Sequence, residues 1–258
     1  PITKGRLLFR TICECLLGIK LKRHQVFYAD ERVFSTRVKK VCYPWNRRFL
    51  PDPSPYDLSC VLATTNASLK DIPQVLLVGR QDPRKGLSDL VDTLERTPIL
   101  FERLQIKLIG SLTAGTEYLA DRMERLVKKG LLWEKRYISE KEIIENFAKC
   151  DYVLLPYSST FTGSSGVFSY AMAAGKPVIT TEHGCIGYRV AFFGVGFSYR
   201  CKDTQKLAEI LSALPSVGGA TYQRMAARCY EFARNSDGVS FQNCLASCLD
   251  NINENTSY

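Results

Sequence analysis

The stretch from Cys150 to Thr181, CDYVLLPYSSTFTGSSGVFSYAMAAGKPVITT, most restricts what this chain can fold into. Tyr152 to Pro156 is a short apolar run bounded by turn signals, the pattern of a strand buried on both faces in a parallel sheet. A loop of Ser, Thr and Gly follows. Gly166-Val-Phe-Ser-Tyr-Ala-Met-Ala-Ala then reads as an apolar helix that stops at Gly175, a residue suited to a left-handed cap. Pro177 prevents continuation, and Val178-Ile179 opens the next strand. Strand, loop, helix and strand in this order make a parallel crossover. A loop that opens onto a helix N-terminus is also an anion site, because unpaired N–H groups and the helix dipole converge there.

The same alternation extends in both directions. Val75–Val78 reads as a strand ending at Gly79, and Leu87–Arg96 as a helix with Leu87, Leu90, Val91 and Leu94 on one face. Ile106–Ile109 reads as a strand ending at Gly110. Glu117–Lys129 reads as a helix stopped by Gly130, and Trp133–Ile138 as a strand. Ser139 and Glu142 form a capping box for a helix over 140–149. Beyond the opening stretch come a strand at Phe197–Tyr199 and helices near 203–214, 220–234 and 239–250. Strands alternating with helices define an α/β fold, a doubly wound, Rossmann-like parallel sheet of about six strands. Ligands of such sheets bind outside the carboxyl ends of the strands, near the point where strand order reverses. That rule puts Gly79-Arg80, Gly110 and the loop 157–165 on one rim.

Upstream, residues 1–24 read as a basic amphipathic helix able to pack one face or to lie on an anionic membrane. Gln25–Ala29 reads as a short strand. Residues 43–59 contain four prolines, a density that opposes regular structure and marks a crossing between domains. The expected organisation is a remnant of an N-terminal domain or an appendage at 1–45 and a proline-rich crossing at 46–70. The α/β domain follows at 71–236, with a C-terminal helix and tail at 237–258.

The chain has 258 residues, of which 45% are apolar, and no run approaches the roughly 20 apolar residues of a membrane-spanning helix. The formal charge of +9 suits a phosphate-bearing ligand or an anionic surface. Basic residues are scattered and no nucleic-acid motif is present, so nucleic acid is not the expected partner. Ten cysteines without a CxxC pair, beside only two histidines, argue against a zinc site. Cys60, Cys150, Cys229, Cys244 and Cys248 sit in apolar patterns and read as reduced, buried thiols of a cytoplasmic protein.

Two cations stand at the carboxyl edge of the first strand. In Gly79-Arg-Gln-Asp-Pro-Arg-Lys-Gly86, Arg80 leaves the strand and Lys85 precedes the next helix. Arg offers a bidentate fork to a diphosphate and Lys a point charge. The GxxxxGK[ST] and GxGxxG orders are both absent, so neither a Walker loop nor a dinucleotide site is expected.

VGRQDPRKGLSDLVDTLER resembles the segment that opens the C-terminal domain of retaining glycosyltransferases of the two-domain GT-B fold, the large family 4-like group. ISEKEIIENFAKCDYVLLPYSS, followed by SYAMAAGKPVITTEHG, resembles the same family in order and spacing. RFLPDPSP looks like the crossing between its two domains. The resemblance spans about 26–235, with 75–185 its specific part. It implies a donor-binding half for a nucleoside-diphosphate sugar. Arg80, Lys85 and the N–H groups around Ser164, Ser165 and Gly166 would hold the diphosphate. Arg136, Tyr137 and Ile138 would meet the base. No metal or other cofactor is implied, because cations and a helix end neutralise the leaving group.

Members of the family often carry two glutamates about this helix. Those positions fall here on Thr162 and Tyr170, which with Gly163 would face the donor sugar and ribose. Glu182 and His183, just past the strand 178–181, are the only acid–base candidates near the sugar. The implied activity is sugar transfer to a saccharide or lipid-linked acceptor, with retention, in concert with an N-terminal domain or partner subunit. The other reading is a catalytically silent, glycosyltransferase-like binding module.

Overall fold

The structure is a computed structural model that describes residues 26–28, 47–49, 72–236, 241–243 and 246. The chain divides into two units, one of 1–53 with 238–258 and the other of 54–237. In the first, β1 (Val26–Tyr28) pairs in parallel with β2 (Arg47–Phe49). β1 matches the expected strand at 25–29. β2 lies inside the proline-rich stretch where no regular structure was expected. Its three residues fall between Pro44 and Pro51, so each keeps its N–H for the ladder. The expected helix over 1–24 lies outside the described residues, as does most of that over 239–250. Residues 241–243 and 246 are helical.

The second unit is built on six parallel strands: β3 (Gln74–Val78), β4 (Gln105–Ile109), β5 (Leu132–Glu134), β6 (Tyr152–Leu155), β7 (Val178–Thr181) and β8 (Gly196–Tyr199). Their spatial order is β5-β4-β3-β6-β7-β8, so chain order reverses between β3 and β6. This is the doubly wound Rossmann order. Both faces of the sheet are covered. Along β3, Val75 and Leu77 point to one core while Leu76 and Val78 point to the other, the period of two that a pleated strand imposes. Each fully buried Val or Leu side chain contributes about 1.5–3 kcal/mol, which holds the central strands in register.

On the Val75 face lie α1 (Leu87–Arg96), the short α2 (Leu100–Arg103), α3 (Ala120–Val127) and α7 (Thr204–Ser212). On the Leu76 face lie α4 (Glu140–Lys149), α5 (Gly166–Ala173) and α6 (Gly184–Phe193). The last helix, α8 (Ala220–Arg234), crosses the amino-terminal edge of the sheet. It donates from Tyr222 Oη to the Asp151 carbonyl (3.0 Å) ahead of β6. Farther along, its Tyr230 Oη donates to the Ala174 carbonyl (3.3 Å) ahead of β7. Among the described residues of this unit, loops occupy the opposite edge, where the strands end.

Most elements fall where the pattern placed them, and α1 and α8 match at both ends. The capping box is present: Ser139 Oγ accepts from Glu142 N (3.4 Å), and the Glu142 carboxylate accepts from Ser139 N (3.0 Å). Two expectations fail. The strand expected over 133–138 ends at Glu134, because β4 ends at Ile109 and offers no further partner. Arg136 N turns back to the Glu134 carbonyl (2.9 Å) instead. The helix α6 was not anticipated. Gly184 and Gly187 lower its intrinsic propensity and no side chain caps it. The spacing of Ile186, Val190 and Phe193 and the stop at Gly194, with φ of +63°, were its available signals.

The described cysteines Cys150, Cys185, Cys201 and Cys229 form no disulfide. Burial pushes the Cys150 thiol up to about 12 and the Cys229 thiol upward as well, so neither is a nucleophile at neutral pH.

Candidate functional site

Crossovers leave β3 and β6 toward opposite faces, so the loops after these neighbouring strands diverge and leave a crevice at the rim. The loop after β3 starts at Gly79, whose N–H donates to the Ile109 carbonyl (2.9 Å). Arg80 follows it, exposed. Pro83–Lys85 forms a single 3₁₀ turn capped by Asp82, whose carboxylate accepts from Arg84 N (2.8 Å). The Arg84 side chain beside it holds the Asp82 carboxyl below its ordinary range. Gly86 closes the turn at φ +66°. A Cβ there would collide with the Pro156 carbonyl, so the Lys85-Gly86 pair marks a backbone contact across the switch point.

The loop after β6 is stitched to the first. Ser158 N donates to the Arg84 carbonyl (2.9 Å). Thr181 Oγ1, at the end of β7, donates to the Tyr157 carbonyl (2.7 Å). Between the loops, Lys85 Nζ donates to Tyr157 Oη (3.1 Å) and lies over the rings of Tyr157 (4.4 Å) and Phe161 (5.0 Å). Tyr157 Oη in turn bonds Ser165 Oγ (2.7 Å), and Tyr157 and Ser165 are both buried. Ser165 is the N-cap residue of α5, yet its side chain makes no bond to the helix. No acidic residue stands in the first turn of α5. Ser164 and Gly166 are exposed beside it. A half-buried cation and an uncapped helix terminus therefore sit on either side of one phenol, an arrangement suited to an anion.

The remaining expected residues are distributed as follows. Thr162 and Gly163 are exposed, and the Thr162 carbonyl accepts from Cys185 N (3.2 Å), which brings this loop to the start of α6. His183 is the exposed N-cap residue of α6. Glu182 pairs with Arg200 (3.6 Å), both exposed. Tyr170 is buried and stacks on Phe147 of α4, with ring centroids 5.5 Å apart. Arg136 is held by Glu134 (2.8 Å) and Glu142 (2.7 Å). Tyr137 is 88% exposed and Ile138 is buried. These three follow β5 in a loop rather than ending a strand, and no described contact ties them to the Lys85 cluster. Sequence reasoning missed Tyr157 and Phe161. Two aromatics directly beyond a buried strand, on the ligand edge of the sheet, were the signal available. Among the described residues, no group of three or more His, Cys, Asp or Glu could hold a metal ion.

Fold and rim define a Rossmann-like α/β domain of the kind found in GT-B glycosyltransferases. Residues 72–216 match the family model described as "Glycosyl transferases group 1", and the chain belongs to that family. No curated protein sequence matches it significantly. HepE (Alr3699) of Anabaena in complex with UDP superposes with a TM-score of 0.66 at 18% identity, over 88% of this chain and 64% of that one. Its complex with UDP-glucose gives a TM-score of 0.63 at 20% identity over the same shares, 88% and 64%. The N-terminal domain of Candida albicans trehalose-6-phosphate phosphatase gives 0.61 at 13% identity, over 82% of this chain and 50% of that one. At these identities the likeness is one of fold. The chain spans between 50% and 64% of the length of these neighbours.

Proposed function

We propose that the chain is the donor-binding half of a glycosyltransferase that takes a sugar from a nucleoside diphosphate. The observation that carries this reading is the placement of Lys85 by Tyr157 beside the uncapped N-terminus of α5. In the reaction, the bond from the anomeric carbon to the β-phosphate oxygen breaks and its electron pair stays on the diphosphate. Lys85, Arg80 and the N–H groups from Ser164 to Gly166 would stabilise that growing charge without a metal. Thr162, Gly163 and His183 would meet the sugar, and the 136–138 loop would meet the base. The anomeric carbon then bonds to a hydroxyl oxygen of a saccharide or lipid-linked acceptor, with retention, and the hydroxyl proton passes to the departing diphosphate oxygen. The acceptor would be held by an N-terminal domain or partner subunit. A cytoplasmic place, peripheral to an anionic membrane through residues 1–24, completes the proposal. HepE, whose structures hold UDP and UDP-glucose, supports the choice of ligand.

Calorimetry with UDP, GDP and ADP tests this. One of them binds the wild-type chain, and Arg80→Ala and Lys85→Ala each weaken it by tenfold or more. Absence of binding at millimolar concentration overturns the reading.

One observation favours a second reading, a binding module without turnover. Tyr170, where the family resemblance expects a glutamate, is packed on Phe147, and the Glu182 carboxylate is engaged by Arg200. Nucleotide binding with no hydrolysis or transfer of the bound sugar, followed by NMR, would select it.

A further inference from the structure

We infer that Tyr157 is a positioning residue that sets both halves of the candidate diphosphate site, the cation and the helix terminus; this rests on the donor-site reading above. Its hydroxyl lies between Lys85 Nζ at 3.1 Å and Ser165 Oγ at 2.7 Å. An ammonium group can only donate, so the Tyr157 oxygen accepts from Lys85, while either hydroxyl can donate in its bond with Ser165 Oγ. The Tyr157 ring is fixed. It is buried, packs on Phe161 with centroids 4.2 Å apart, and its carbonyl is held by Thr181 Oγ1.

Two effects follow from one oxygen. Lys85 is a long, freely rotating side chain that is ordered here before any ligand arrives, which lowers the entropy lost on binding. A serine at an N-cap position ordinarily turns its hydroxyl onto the second or third N–H of its helix. The Ser165 hydroxyl is turned to Tyr157 instead, and its helix has no side-chain cap. The N–H groups of Val167 and Phe168 thus have no side-chain cap and are available to an acceptor from outside the chain. Without the phenol oxygen, Ser165 Oγ would rotate onto Phe168 N and compete with the ligand.

The test uses the full chain with UDP and with inorganic pyrophosphate as probes. Tyr157→Phe keeps the ring and removes the oxygen, and thermal unfolding verifies that it folds. It should weaken both probes about tenfold, and amide hydrogen exchange at Phe168 in the unliganded protein should slow about tenfold as Ser165 caps the helix. Adding Ser165→Ala to Tyr157→Phe should restore fast exchange and regain at least threefold of the lost affinity, a rescue that a merely structural role would not produce. Unchanged affinity in Tyr157→Phe, or a double variant no better than the single one, overturns the inference. In wild-type protein, which needs no folding control, bound pyrophosphate must slow exchange at Gly166 to Phe168; binding without that protection also overturns it. If the wild type binds neither probe, the donor-site reading fails, and the exchange comparison still decides whether Tyr157 controls the Ser165 cap.

Discussion

Gly86 shows how much of the rim depends on single residues. Its φ of +66° is a conformation that an L side chain adopts at a cost of about 1–2 kcal/mol. An added Cβ would also meet the Pro156 carbonyl, a backbone atom that cannot rotate away. Gly86→Ala should therefore lower stability by about 2 kcal/mol or more, since left-handed strain and a steric clash add. Urea unfolding would measure that loss, and a change under 0.5 kcal/mol would mean that the loop relaxes freely. The variant should also weaken nucleotide binding, because the clash pushes the β6 loop, and Tyr157 with it, away from Lys85. The glycine and the lysine were legible in the sequence. The phenol was not, because its partners lie 72 and eight positions away, and only the fold brings them together.

At the scale of elements, α4 and α6 mark the limits of reading pattern alone. α4 carries its boundary in its own residues, and the capping box and its first residue were readable together. Glu142 works twice there. It accepts from Ser139 and pairs with Arg136, and those contacts, the Ser139 hydroxyl first, pull its carboxyl down to about 2. The folded value lies below the ordinary one of 4.5, so the carboxylate contributes stability that is present above about pH 4.5 and lost as pH falls toward 2. Glu142→Gln keeps the cap but not the charge. The wild type should be the more stable of the two at pH 7, with the gap closing between pH 4.5 and 2, as followed by circular dichroism in urea. A gap independent of pH would mean that the charge contributes nothing. α6 has no such boundary signal, since its glycines and its uncapped start hide it. Its formation is dictated by burial of Ile186 and Val190 against the sheet, a tertiary term that local propensity does not contain.

For the whole molecule, strand order decides where chemistry can occur. About six strands in a doubly wound sheet follow from the alternation of apolar runs with helices, which is why the fold was legible and the rim could be named in advance, whereas the reversal between β3 and β6 is set by the strand order of the folded sheet. The base-binding loop was placed less well, because a strand's end depends on its neighbour's length. Among the described residues, the two cores on either face of the sheet lie within residues 75–233. A fragment of residues 71–236 should therefore fold alone, with a single cooperative urea transition. If the donor site is complete within it, UDP at a hundred times its dissociation constant should stabilise it by about 2.7 kcal/mol. The same increment should appear in the full chain, because the residues proposed to hold the diphosphate all lie between Arg80 and Gly166. A fragment that folds but gains nothing from UDP, while the full chain gains, would show that residues outside the α/β unit complete the donor site.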